Sequence, residues 1–249
     1  MVVLYPQSKF KMKNFLNRKK IVLINCHKSN SGNLIQNLNN YGAKVIQTSI
    51  SKNKILSGKN KKEKKIYTYY DFSSLISNFP KDLKFQKIDV FIFFLEDNNL
   101  LKNISSTSNN YNILINEIIS MSDKIIKHLK KNNHSKIIFV LLPYSCIINE
   151  KNKILLETLN SAFEGYCKSI AKSLATNKIL VNSISPGFVV NRRIKKLKNK
   201  KNNFFEKNIP LKRLAKLDEI ESLLLFLSSE YNTYITGQKI DVDGGFNSI

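Results

Sequence analysis

The polar stretch Asn25-Cys26-His27-Lys28-Ser29-Asn30-Ser31-Gly32 follows an apolar run and opens an amphipathic segment. A strand-to-helix turn of this kind aims backbone N–H groups and the positive end of a helix at one point, which is the chemistry of phosphate binding. Asn25 closes the strand, Lys28 and Ser29 are the side chains that would contact phosphate, and Gly32 and Asn30 tolerate the backbone bends such a turn needs. Cys26, however, adds a side chain where the turn is tightest, so a loop that closes without any ligand is the preferred reading. Thr48 and Ser49 end the second apolar run with Lys52 nearby and no acidic residue. Asp71 follows the third run, where a lone aspartate is most simply a helix N-cap.

The elements that must position these groups alternate in type. Strand-like runs at 20–25, 43–48, 65–70, 89–95, 136–142, 180–185 and 239–242 are separated by amphipathic segments, the clearest at 32–41, 110–132, 155–176 and 218–229. In 110–132, Ile113, Leu114, Ile118, Met121, Ile125 and Leu129 recur with a helical period. Such alternation predicts βαβ units and one doubly wound α/β (Rossmann-type) domain with a parallel sheet of about seven strands. We expect that domain to span 19–249, with 1–18 as a disordered N-terminal extension that could also serve organelle targeting. No repeat and no dividing linker interrupts it.

Composition narrows the function classes. The chain carries 41 Lys+Arg against 18 Asp+Glu, a net charge of +23, and its hydrophobic content of 42% suits a globular core. No apolar run reaches the roughly 18 residues of a membrane span, and a secretory leader is poorly supported, so a cytoplasmic protein without membrane contact is expected. The lysines interleave with asparagine and isoleucine along the whole chain. That pattern reads as compositional drift in preference to a nucleic-acid site, although the runs Lys59–Lys65 and Arg192–Lys201 stand out. Cys26, Cys146 and Cys167 form no CxxC pair, and His27, His128 and His134 have no ligand spacing, so neither a disulfide framework nor a metal site is expected.

The C-terminal half carries an ordered signature: Ser173-Leu174-Ala175, Ile179-Leu180-Val181-Asn182-Ser183-Ile184-Ser185-Pro186-Gly187-Phe188, Pro210-Leu211-Lys212-Arg213-Leu214, Asp218-Glu219-Ile220, Leu225 to Ser229, Tyr234-Ile235-Thr236-Gly237-Gln238 and Val242-Asp243-Gly244-Gly245. In identity and spacing it resembles the short-chain dehydrogenase/reductase family, in its 3-oxoacyl-[acyl-carrier-protein] reductase branch. The resemblance implies a dinucleotide site built on a glycine-rich first turn, of which only Gly32 remains, with Asn25, Lys28, Ser29, Thr48, Ser49, Asp71, Pro186 and Gly187 as the matching cofactor positions. The lack of an acid near Thr48 would favour the 2′-phosphate of NADPH. The family's Asn-Asn-Ala-Gly after the fourth strand is replaced by Phe93-Phe94-Leu95-Glu96.

The catalytic set implied by the resemblance is a tyrosine acid, a lysine four residues later, a serine and an asparagine. Counting back from Ala162-Phe163-Glu164-Gly165, the tyrosine position is Leu156 and the lysine position Asn160. The serine position falls within Leu141-Leu142-Pro143, with Tyr144 and Ser145 as displaced candidates; the asparagine position falls near Ile118, with Asn116 displaced. Three readings follow. The first is a catalytically silent family member, binding NADPH weakly or not at all, that serves as a structural or regulatory subunit in a homo- or hetero-oligomer with a related reductase. The second is an active, divergent NADPH-dependent 3-oxoacyl reductase, whose acidic acyl carrier protein would suit the basic surface. The third is a basic nucleic-acid binder on the same fold.

Overall fold

Strands buried on both faces of a sheet must be apolar at consecutive positions, and the central strands here are. A computed structural model describes residues 15–16, 18–24, 34–50, 66–69, 87–95, 109–129, 134–144, 150–190 and 204–247. It contains β1 (Lys20–Ile24), β2 (Lys44–Ile50), β3 (Ile66–Tyr69), β4 (Val90–Phe94), β5 (Lys136–Val140), β6 (Leu180–Pro186) and β7 (Lys239–Val242). They form one seven-stranded sheet in the order β3-β2-β1-β4-β5-β6-β7, every neighbouring pair parallel. The helices are α1 (Leu34–Asn40), α2 (Asn109–Ile126), α3 (Glu150–Leu174), the short α4 (Phe204–Asn208) and α5 (Leu217–Ser228).

Alternation along each strand divides the core in two. Val22, Ile24, Phe91, Phe93, Ile137, Phe139 and Val181 face a cluster completed by Ile118, Met121 and Ile125 of α2 and by Leu156, Leu159, Phe163, Cys167 and Ala171 of α3. Ile21, Leu23, Val90, Ile92, Ile138, Val140 and Ile184 face the opposite cluster, with Leu34 and Leu38 of α1 and Ile220, Leu224 and Leu227 of α5. The expected doubly wound sheet is therefore present, and the strand order reverses between β1 and β4, where open α/β sheets place their ligands.

Element ends move for identifiable reasons. The helix expected to run to residue 132 stops at Ile126: Ile88 donates its N–H to the His128 carbonyl (3.0 Å), and Leu129 bridges Ile88, drawing the chain out toward the sheet. The helix expected from Leu155 begins at Glu150, since Glu and Lys lose little rotamer freedom in a helix. The packed domain also reaches beyond the boundary expected at residues 18 and 19. Leu16 has no exposed surface, its N–H donates to Tyr41 O (2.9 Å), and Phe15 stacks on Tyr231 at 5.0 Å between ring centroids. No helix among the described residues is long and apolar enough to cross a membrane.

Candidate functional site

The site begins where β5 ends. Leu141 continues the ladder by donating its N–H to the Ile184 carbonyl (2.8 Å), but Leu142 takes no strand partner among the described residues. Both of its backbone groups are bound by one side chain: Leu142 N–H donates to Asn160 Oδ1 (3.1 Å), and Asn160 Nδ2 donates to Leu142 O (3.0 Å). A primary amide can do this because it carries a donor and an acceptor side by side, matched to a peptide unit. An ammonium has donors only and would leave the Leu142 N–H without a partner. Asn160 is 8% exposed, so the pair of bonds lies in a nearly dry setting. One turn earlier on α3, Leu156 is 3% exposed and belongs to the α2/α3 core cluster. The residue at the tyrosine position thus packs in the interior, and the one at the lysine position fastens α3 to the end of β5.

The displaced candidates behave differently from one another. Tyr144 is 8% exposed and packs against Phe188 (centroids 6.0 Å) and Phe246 (5.3 Å). Burial pushes its phenol above the ordinary tyrosine value, an effect only partly offset by a hydrogen bond with Asn247. A general acid working near neutrality benefits from the opposite shift. Asn116 is exposed on α2 while Ile118 is buried against the sheet, so the two point away from each other and Asn116 does not join the cleft. Tyr166, further along α3, has a buried hydroxyl raised in pKa by desolvation and stands edge-on to Phe139. The one Tyr-x-x-x-Lys spacing in the chain, Tyr5 to Lys9, precedes β1 and lies outside the described residues, as does Ser145.

At the point where strand order reverses, the described side chains are buried in the protein's own core. Phe93, Phe94 and Leu95 are 2%, 6% and 3% exposed; Phe93 stacks on Phe139 at 5.0 Å, and Phe94 packs in the opposite cluster. Thr48 has no exposed surface and donates its hydroxyl to Leu23 O (3.1 Å), which ties β2 to β1. Ser49 lies in β2 beside Thr68 of β3. Pro186 ends β6, and Gly187 follows it under a close approach: a Cβ there would lie 2.5 Å from the Asp243 Cα. The first-turn residues Asn25, Lys28, Ser29 and Gly32, together with Asp71, lie outside the described residues. Among those described, the bulky fourth-strand end, the engaged Asn160 and the internally bonded Thr48 do not fit a bound dinucleotide.

Other titratable groups lie away from this edge. Lys136, at the opposite end of the sheet, is 2% exposed, donates from Nζ to His134 O (2.8 Å), and is lowered to about 8 by burial, with Lys19 adding to the effect. Cys167 is raised to about 11 by burial, the state of an inert core thiol. No group of three or more His, Cys, Asp or Glu suited to a metal ion occurs among the described residues.

These positions can be set beside known proteins. A family model described as enoyl-(acyl carrier protein) reductase matches residues 103–247, more than half of the chain. The chain belongs to the short-chain dehydrogenase/reductase family. Within this family it is similar to the 3-oxoacyl-[acyl-carrier-protein] reductase FabG of Buchnera aphidicola subsp. Baizongia pistaciae, 35% identical over 134 residues, which cover 54% of each chain. It is also 41% identical over 81 residues to the Thermotoga maritima protein of the same name, covering 32% of this chain and 33% of the relative. The chain thus spans about half the length, or less, of these curated relatives. Among solved structures it is similar to Thermoplasma acidophilum aldohexose dehydrogenase, with a TM-score of 0.74 and 19% identity over 95% of this chain and 96% of that one. A short-chain dehydrogenase family protein from Francisella tularensis gives 0.72 and 21%, covering 93% of this chain and all of the other. At these identities the structural likeness speaks for the shared Rossmann-type fold.

Counting along the motifs places Leu156 and Asn160 at the positions that the resemblance implies are catalytic. The partner of Asn160 could not be found that way, because it depends on how closely α3 approaches the end of β5.

Proposed function

We propose that this chain is a catalytically silent member of the short-chain dehydrogenase/reductase family, serving as a structural or regulatory subunit. The observation that carries this reading is the paired hydrogen bond between Asn160 and Leu142. In the family's active members, as the resemblance implies, the residue at this position is a lysine that lowers the tyrosine pKa and holds the nicotinamide ribose. Here that position is committed to holding the protein's own backbone, and the tyrosine position is a core leucine. On this reading NADPH binds weakly or not at all, and the partner is a second copy or a related, active reductase engaged through α2 and α3. The chain's net charge of +23 suits an acidic acyl carrier protein as a ligand, and the setting is cytoplasmic.

The test is a titration of the purified protein with NADPH, following nicotinamide fluorescence. The expected result is no saturable change at cofactor concentrations up to the millimolar range, the upper end of ordinary enzyme KM values of about 1 μM to 1 mM. Saturation in the low micromolar range would overturn the reading of an emptied cofactor site.

A further inference from the structure

We propose that the C-terminal turn Asp243–Asn247 is an intramolecular plug that puts Phe246 where a ligand would enter the sheet's carboxyl edge; this deepens, and rests on, the reading of a silent site. Three aromatic residues meet there, one from just beyond each of three adjacent strands. Tyr144 follows β5, Phe188 follows β6 and Phe246 follows β7. Phe246 stands 5.0 Å from Phe188 with the rings perpendicular, and 5.3 Å from Tyr144 in an edge contact. Open α/β sheets bind ligands outside the carboxyl ends of their strands, so the triad occupies ligand space with the chain's own side chains. Tyr144 and Phe188 are buried, whereas Phe246 is only partly so, which makes it the outermost of the three.

The turn is built to hold that ring in place. Asp243, itself 8% exposed, accepts from Gly245 N–H on Oδ1 and from Asn247 N–H on Oδ2, both at 2.9 Å. One carboxylate therefore fixes the backbone on both sides of Phe246. Gly187 donates its N–H to Val242 O (3.0 Å) and packs against the Asp243 backbone, where any side chain would clash. On the other flank, Leu211 N–H donates to Gly244 O (3.2 Å). Gly244 holds a left-handed φ of 67°, and a Cβ there would come within 2.9 Å of Ile209. The turn is wedged between the segment entering α5 and the ends of β5 and β6, and Phe246 is the side chain it delivers.

Nitration of tyrosine, mapped by peptide mass spectrometry, tests the plug, with the 95% exposed Tyr234 as internal standard. The unmodified protein is compared with Phe246→Ala, with a chain ending at Gly245, and with Phe163→Ala, which loosens the α3 core away from the turn. Tyr144 is expected to be protected in the unmodified protein and in F163A. It should react at least about tenfold faster in F246A and in the shortened chain, since local opening alone governs its access. An unchanged Tyr144 rate in both altered termini, or an equal rise in F163A, would overturn the proposal. Loss of the folded state in both would overturn it too, by making Phe246 an ordinary core residue. Reductase turnover in the unmodified protein would instead count against the silent reading, and it is measured independently of nitration.

Discussion

Asn160 clasps the backbone of Leu142, and the energetic consequence can be measured. Asn160→Ala would leave the N–H and carbonyl of Leu142 buried without partners, at about 1–3 kcal/mol for each group. Urea denaturation should show a loss within that range or its sum, while a loss below about 0.5 kcal/mol would show the clasp to be dispensable. Asn160→Lys, the substitution that restores the family's residue, should also destabilise, because it buries an ammonium and leaves the Leu142 N–H unmet. Lys136 provides a pH-dependent counterpart. Its folded value of about 8 lies below the ordinary 10.5, so the fold disfavours the charged form and stability is held back below about pH 8. As pH rises from about 8 toward 10.5, the unfolded chain binds the extra proton and stability should increase. Lys136→Met should flatten that rise, and an unchanged pH profile in the variant would remove Lys136 as its source. Motif counting located residue 160 but could not foresee the clasp, and the burial of Lys136 at the start of an apolar strand had no sequence signal.

At the scale of elements, the strand and helix order was legible because the period of each segment matched its burial. In β1, Ile21 and Leu23 serve one core cluster and Val22 and Ile24 the other, the continuous apolar pattern of a strand covered on both faces. The ends were less legible, since they depend on tertiary partners: β5 stops where Asn160 takes over the groups of Leu142, and α2 stops where Leu129 meets Ile88. The segment before β1 illustrates the same limit. Its mixed composition reads as an extension, yet Leu16 lies wholly inside the cluster shared by α1 and α5. Leu16→Ala should therefore cost about 2–5 kcal/mol by cavity formation, read as a lowered thermal midpoint. A change within about 0.5 kcal/mol, typical of surface substitutions, would show that the segment does not pack.

For the molecule as a whole, the fold is that of the short-chain dehydrogenase/reductase family, and on the proposed reading its site is filled from within. Phe93, Phe94 and Leu95 are buried where the strand order reverses, Leu156 and Asn160 are buried on α3, and Tyr144, Phe188 and Phe246 pack together beyond β5, β6 and β7. The apolar faces of α2 and α3 form one core cluster with the sheet, and Ile154 on α3 stays 66% exposed. Assembly through these helices predicts a dimer or larger species by light scattering, whereas a strict monomer that also recovers no related reductase in a pull-down would remove the subunit role. The fold was readable because an ordered C-terminal signature and periodic strands repeat the same message many times. The site was readable mainly as a set of losses, since what fills it comes from distant parts of the chain. Catalytic silence is tested by following NADPH oxidation by the unmodified protein with a 3-oxoacyl thioester substrate. With no general acid at residue 156, a contribution of about 10²–10⁴-fold is missing before any loss in cofactor positioning is counted. Absent or barely detectable turnover is predicted, and a rate in the ordinary enzyme range of about 1–10³ s⁻¹ would contradict the account.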